Sequence, residues 1–372
     1  METRILDSLS DVSPEQWNEL AGHQPFLRHA FLEAMTLSRS ACPETGWHPR
    51  HLTLWDNNDL VAALPLYAKD HSYGEFVFDW SWAEAYQRHG INYYPKLVAN
   101  VPFTPVPGTR LLARDDACRE RLLATALDYA RASGTSSLHI LFANTDEAAL
   151  MSEAGMMIRK GVQFHWRNPG YRDFEDYLSA LTRDKRKKVR QERRRVVDAE
   201  VSLVRLTGGE IGEDDWSFFH RCYRLTYELR GRQPYLNLDF FLRLGRTMPE
   251  NILLVLAHRD GLPIAAALNL FDHGRLYGRY WGAVEDVPCL HFEACYYQAI
   301  EFAIERGIAV FEGGAQGEHK LARGFLPTET LSAHWLAHPE FAAAVGRFLT
   351  QESQGVDRYV DELNEHNPFK QA

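Results

Sequence analysis

The sequence predicts an α/β protein with mixed sheets, built as two similar halves, and three observations carry that reading. The chain has 372 residues, more than one core of ordinary size takes, so two domains are expected, each able to bury its own interior. Hydrophobic residues make up 45% and charged residues 24%, which is the usage of globular chains and excludes disorder and collagen-like repeats. The same order of elements then occurs twice along the chain: helices, a two-strand hairpin, a further strand region, a long helix, a strand, a short helix and a last strand.

In the first half, residues 14–40 place Trp17, Leu20, Phe31, Leu32 and Met35 at helical spacing behind Ser13-Pro14, a helix start. Residues 51–55 and 60–67 read as two strands about the turn Asp56-Asn-Asn-Asp59. Residues 76–112 are rich in aromatics, prolines and glycines and read as strand ends and an ordered binding loop without long regular elements. A helix over 116–133, a buried strand over 137–142, a short helix over 147–154 and a strand near 163–166 complete this half, which ends near Gly170. The domains expected are therefore 1–170 and 171–372.

The second half opens with an acidic, aromatic helix over 174–181 and a basic run, followed by a strand over 201–206 and a long helix over 213–230. Strands over 252–257 and 262–271 flank the turn Arg259-Asp-Gly261, and 275–281 extends the meander. A helix over 290–306 ends at Gly307, a C-terminal cap, and strands follow at 308–311 and 332–336.

Charge and cysteine usage narrow the function. A formal net charge of −9 argues against general nucleic-acid binding. The segment 183–195 departs from this, with nine cations and two acids in thirteen residues. On a helix, Lys185, Arg186, Lys188, Arg190, Arg193 and Arg194 make it positive nearly all round, a match for a tRNA, a nucleotide-linked precursor or an anionic membrane surface. The bland alternative is a solvated helix paired with Asp173, Glu175 and Asp176. Five cysteines with no Cys-x-x-Cys pair, no basic start followed by an apolar run, and no stretch of roughly 18 apolar residues point to a cytoplasmic protein without a transmembrane segment.

Seven blocks are long and aromatic-rich: Asp79-Trp-Ser-Trp-Ala-Glu-Ala-Tyr86, Tyr93-Tyr-Pro-Lys-Leu97, Val101-Pro-Phe-Thr-Pro105, Gln163-Phe-His-Trp166, Leu276-Tyr-Gly-Arg-Tyr-Trp-Gly282, Leu290-His-Phe-Glu293 and Glu312-Gly-Gly-Ala-Gln-Gly-Glu-His-Lys320. In these the chain resembles the FemAB-like predicted N-acyltransferases, a duplicated form of the GNAT acyltransferase fold similar to Fem-type peptidoglycan peptidyltransferases. The resemblance implies two tandem GNAT-like domains, with the acyl-transfer cleft in the second. It implies transfer of an acyl or aminoacyl group to an amine in peptidoglycan or cell-envelope precursor metabolism, with an acyl-CoA, acyl carrier protein or aminoacyl-tRNA as donor. No tightly bound cofactor and no metal is expected. The GNAT pyrophosphate signature is absent: Glu285 and Asp286 stand where that loop falls and would repel a pyrophosphate. A non-catalytic protein binding a phosphate-bearing envelope precursor or RNA is the alternative.

Glu312 ends a buried strand and opens a glycine-rich loop, where open α/β sheets place ligands, so it is the expected base for the amine, which attacks directly. Gln316 lies in the same loop, and His319, Lys320 and Arg323 follow it as a phosphate or carboxylate holder, with His319 also a catalytic candidate. Tyr280, or alternatively Tyr277, is the expected hydroxyl donor, and Arg279, Trp281, His291 and Glu293 are the expected substrate contacts around it. In the first half, Trp80, Trp82, Tyr86 and Tyr93 read as stacking walls for a sugar, peptide or acyl chain, with Lys96 meeting a phosphate or carboxylate. A satellite core beneath a long loop is the competing reading.

Overall fold

The computed structural model describes residues 1–314 and 317–370. The chain folds into two compact units, Met1–Val162 with Glu329–Tyr359, and Gln163–Thr328 with Val360–Ala372.

The first unit carries two sheets. A small antiparallel one has the order β1 (Glu2–Leu6), β3 (His51–Asp56), β4 (Asp59–Leu64), β7 (Leu112–Ala113), after β2 (Trp47–Pro49) in chain order. Asn57, at φ +56, turns the β3–β4 hairpin in the left-handed region that Asn tolerates. The sequence reading runs the second strand of this hairpin to Tyr67. The structure breaks it at Pro65, which has no N–H for a ladder, and starts β5 (Leu66–Lys69) in the other sheet. There β5 lies between β2 and β6 (Lys96–Ala99), and β6 runs parallel to β8 (Ser137–Ala143). The segment read as irregular holds a helix, α3 (Trp80–Arg88), after α1 (Pro14–Ala21) and α2 (His29–Leu37). Helix α4 (Asp116–Ala132) starts where the Asp115 carboxylate accepts from Cys118 N at 2.8 Å, and it buries Leu122, Leu123, Ala126, Leu127 and Ala130 against the sheets.

Helix α5 (Thr145–Glu153) leads into β9 (Met157–Arg167), whose last residues enter the second unit. That unit has α6 (Phe174–Ala180), α7 (Arg183–Asp198), β10 (Ser202–Thr207), α8 (Glu213–Glu228) and α9 (Leu238–Thr247), followed by β11 (Ile252–Arg259), β12 (Leu262–Phe271) and β13 (Arg275–Ala283). Strands β10 to β13 form an antiparallel meander turned by Asp260 and Gly261, both at positive φ. Helix α8 covers β13 so closely that a Cβ on Gly282 would stand 2.0 Å from the Cys222 carbonyl oxygen. The expected helix over 290–306 forms in three pieces, α10 (Leu290–Phe292), a π-helical turn (Glu293–Tyr297) and α11 (Gln298–Glu305), ending at Gly307 with φ +64. The chain then enters β14 (Val310–Glu312), parallel to β13, and β14 pairs antiparallel with β9 through Phe311–Trp166 and Glu312–His165.

Strand β15 (Leu326–Leu336) pairs with β8, and the first turns of α12 (Pro339–Glu365) pack Val345 and Leu349 on Trp82 and Tyr86. Each unit thus holds one parallel strand pair with an antiparallel strand on either side. The sequence reading sets the domain boundary at 170/171, whereas the contacts give residues 163–170 to the second unit and Glu329–Tyr359 to the first. No helix among the described residues is long and apolar enough to cross a membrane.

Candidate active site

Strands β13 and β14 stay paired for three residues, Arg275–Val310, Leu276–Phe311 and Tyr277–Glu312, and then separate. At the same level the register of β13 against β12 slips, so Gly278 faces Asn269, Tyr280 faces Leu268, and Arg279 is the extra residue of a bulge. The bulge breaks the strict alternation that would set Arg279 on the face of Trp281. A fork between two strands leaves backbone polar groups without ladder partners, and a cavity of about 280 Å³ opens at this one. Gly278, Arg279, Tyr280 and Trp281 form one side, and Gly313 and Gly314 line the fork from β14. Gly314, at φ +85, takes a backbone conformation that favours glycine, and a Cβ there would be in ordinary contact with the Gly278 oxygen at 3.5 Å.

The far wall carries the titratable groups His291, Cys295, His319 and Lys320, with Tyr296 among them. Lys320 is 3% exposed and donates to Gly314 O at 3.1 Å; burial lowers its ammonium to about 8. Burial lowers His291 to about 4, and the nearby His319, Arg323 and Lys320 add to the effect. The His319 Nε2 lies 3.0 Å from the Tyr296 hydroxyl, and burial holds this imidazole below its usual range. Tyr280 packs its ring on Tyr223 at 5.0 Å, and Arg279 Nη2 reaches its hydroxyl at 3.4 Å.

The other expected site residues sit differently. Phe311 lines the cavity, and strand alternation turns Glu312 to the opposite sheet face. There the Glu312 Oε1 accepts from Arg275 at 2.6 Å, its Oε2 is buried 4.0 Å from His165 without a hydrogen bond, and burial raises the carboxyl to about 7. Arg323, expected to bind substrate, is 2% exposed and donates to both Glu192 oxygens at 2.8 and 2.7 Å. It also donates to the Tyr297 hydroxyl and to His319 O at 2.7 Å, and stacks 3.5 Å over Phe292, so it fixes the turn that carries His319. Glu293 is buried and accepts from Arg193 and Gln298. Gln316 lies outside the described residues.

In the first unit the expected stacking wall is largely core. Trp82, Tyr86 and Tyr93 are buried, and Trp80 is half-buried with its ring 4.8 Å from that of Tyr73. Lys96 is fully buried and donates to Ser72 at 2.8 Å, to Glu75 at 2.7 Å and to Asp79, three points of one loop. Tyr93 donates to Asp79 at 2.6 Å. Lys96 therefore anchors residues 72–79, and a buried cation on a strand end reads in sequence like a ligand contact because its partners are far along the chain.

The basic run is helical as expected, but Val189, Glu192 and Val196 form a buried face. Arg193 is paired to Glu293 and Glu301, Arg190 to Glu175, and Arg194 to Asp198. Lys185 and Arg186 are half-buried and Lys188 is exposed. Sequence reasoning missed Cys295 and Tyr296 in the cavity wall; the four-residue step from His291 to Cys295 on one helix face was the available signal.

The model of the FemAB-like family, described as peptidoglycan biosynthesis/recognition, matches residues 8–371. No curated protein matches the sequence. Among solved structures, that of FemX is 12% identical with a TM-score of 0.58, covering 93% of this chain and 100% of its own. That of L-PGS from Bacillus licheniformis is 12% identical with a TM-score of 0.58, covering 93% and 99%. The C-terminal domain of a putative lysylphosphatidylglycerol synthetase from Agrobacterium fabrum is 10% identical with a TM-score of 0.55, covering 89% and 94%. At these identities the likeness is one of fold, and it agrees with the tandem GNAT-like α/β class expected from the sequence.

Proposed function

The chain belongs to the FemAB-like family of peptidoglycan biosynthesis/recognition, and on that premise we propose that it transfers an acyl group from an activated donor to an amine at the β13–β14 fork. The observation that carries the reading is the cavity at a bulged, splayed strand pair, with His319, Tyr280 and Lys320 in its wall. Backbone N–H groups freed from a ladder stabilise an oxyanion without reorganising, which is the largest single contribution to acyl transfer in many enzymes.

In this reading the donor carbonyl lies against the Gly278–Arg279 bulge, and the Tyr280 hydroxyl donates to the oxygen that becomes negative. A neutral amine attacks and the C–N bond forms, the proton shed by nitrogen passes to His319, and the bond to the carrier breaks as its thiol or ribose hydroxyl leaves with that proton. Burial keeps that imidazole neutral near pH 7, as an acceptor must be. Glu312, the base expected from sequence, instead pins β14 to β13 through Arg275 at the last residue before the fork. Its removal loosens the fork and leaves the proton acceptor in place. The donor is an acyl-CoA, an acyl carrier protein or an aminoacyl-tRNA, and the acceptor a small molecule or peptide amine. Lys185, Arg186 and Lys188 on α7 give a phosphate-bearing partner, tRNA or anionic membrane surface, a basic face to meet.

The test is consumption of each donor class in the presence of amine acceptors, read by mass spectrometry of the acylated product. His319→Ala is expected to lower kcat by about 10²–10⁴, the usual worth of a positioned acid–base group, and Glu312→Gln by much less. A chain that consumes none of the donors is a binding protein, and the proposal is then lost.

A further inference from the structure

Two groups of the cavity wall, Tyr296 and His319, meet across 23 residues of sequence. Tyr296 is the fourth residue of the π-helical turn Glu293–Tyr297, and its hydroxyl lies 3.0 Å from His319 Nε2. The next residue, Tyr297, accepts from Arg323 Nε at 3.1 Å and donates to Glu192. Two consecutive hydroxyls of this turn therefore hold the segment Glu318–Arg323 near both ends, the first at the His319 ring and the second at the Arg323 guanidinium. Turns of this kind concentrate at functional sites. Among the described residues, neither the Tyr296 hydroxyl nor the His319 ring has a second hydrogen-bond partner. Tyr296 is 5% exposed, whereas His319 is open to solvent, so a hydrogen on its Nδ1 can be met by water.

In such a pair the phenol is the stronger donor and the bare imidazole nitrogen the stronger acceptor. The Tyr296 hydroxyl therefore donates to Nε2, and His319 carries its own hydrogen on Nδ1. Burial raises the Tyr296 phenol above its ordinary range, and burial together with Lys320 and Arg323 lowers the His319 imidazole, so both partners are neutral near pH 7. The Nε2 lone pair is then occupied, and the open lone pairs of the pair are those of the Tyr296 oxygen. The other imidazole of the wall, His291, is a weak base at about 4. We propose that Tyr296 is a further catalytic residue of this centre: its oxygen takes the proton from the attacking nitrogen while its own hydrogen passes to His319 Nε2. One N–H and one O–H bond break, one O–H and one N–H bond form, and the pair becomes a neutral phenol beside an imidazolium. As the carrier leaves, the imidazolium returns its Nε2 hydrogen to the tyrosine oxygen, and the phenol gives its hydrogen to the departing sulfur or ribose oxygen, which restores both groups. The relay rests on the transferase reading for its two reactants and deepens it by naming the group that touches them.

The experiment has two readouts on the full chain. The first needs no substrate: nitrogen–proton NMR spectra of the histidine-labelled protein, with the His319 signals assigned by His319→Gln. Wild type is expected to show the Nδ1–H tautomer of His319. Tyr296→Phe, which keeps the ring packed 5.4 Å from that of Phe325, is expected to shift the population towards Nε2–H. An Nε2–H tautomer in wild type, or a tautomer that Tyr296→Phe leaves unmoved, overturns the inference. The second readout is single-turnover transfer with the donor the chain consumes. Tyr296→Phe is expected to lower the rate by about 10²–10⁴, in the range of His319→Ala, and the double variant Tyr296→Phe/His319→Ala to be no slower than the slower single one, because groups that act as a unit do not add. The wild-type rate plotted against the deuterium content of the solvent is expected to bow, the mark of two hydrogens moving together. A straight line, losses that multiply in the double variant, or a Tyr296→Phe protein at the wild-type rate each overturn the relay and leave the transferase reading in place. A chain that consumes no donor loses both, even where the tautomer is the one expected.

Discussion

Replacing Arg323 by Met separates a structural cation from one that binds substrate. In the native chain Glu192 is 6% exposed and receives two hydrogen bonds from Arg323, at 2.8 and 2.7 Å, and a third from the Tyr297 hydroxyl. The substitution removes both charged hydrogen bonds and leaves a carboxylate buried against the π-helical turn that carries Tyr297 and the turn that follows β14. Breaking a buried pair by deleting one partner costs about 3–5 kcal/mol. For a unit of this size each kcal/mol moves the midpoint by about 2–4 °C, so a fall of about 6–20 °C is expected. Met also loses the bond to His319 O, so activity is expected to fall through kcat as the His319 turn loosens. The double variant Glu192→Leu/Arg323→Met removes both charges, and most of the lost stability is expected to return, because a well-packed apolar pair replaces a buried ion pair at little cost. Circular dichroism melts of wild type, both single variants and the double variant give the cycle. A single variant that melts with the wild type and raises only KM would refute the structural assignment and return Arg323 to the binding residues.

Gly282→Ala drives a methyl into the Cys222 carbonyl at 2.0 Å, a backbone group that cannot rotate away. A loss of more than about 3 kcal/mol is expected in denaturant melts, beyond the usual range for overpacking. Lys96→Met strands Glu75 and Asp79 in the core of the first unit. The expected cost is again about 3–5 kcal/mol, with new proteolytic cleavage within residues 71–80 because that loop loses its anchor. His291 has a folded-state value near 4 against a model-peptide value near 6.5. The unfolded chain therefore binds the extra proton first, and stability is lost as pH falls from about 6.5 to 4 and stays lost below. Melting profiles across that window should fall less steeply in His291→Asn than in wild type; parallel curves would count against a neutral, buried imidazole.

Much of the fold was legible because it depends on local chemistry. Asn57-Asn58 and Asp260-Gly261 fix two hairpins, Asp115 starts α4, and Gly307 ends α11, each through a backbone conformation that few residues allow. The glycine-rich sequence after β14 and the aromatic strand β13 marked the region of the cavity, and His291, His319, Lys320, Tyr280, Arg279 and Trp281 do line it. Which charged side chains line the cavity and which face each other was settled only in three dimensions. Glu192 meets Arg323, and Lys96 meets Glu75 and Asp79, across gaps in sequence that no periodicity reports. Glu312 was misplaced by a single step of strand alternation, since its neighbour Phe311 takes the cavity side. The limits of the two units also needed the tertiary structure. Strand β9 ends in the second unit and β15 pairs back into the first, because an open sheet edge takes whichever strand supplies its hydrogen bonds, irrespective of the half of the chain that encodes it.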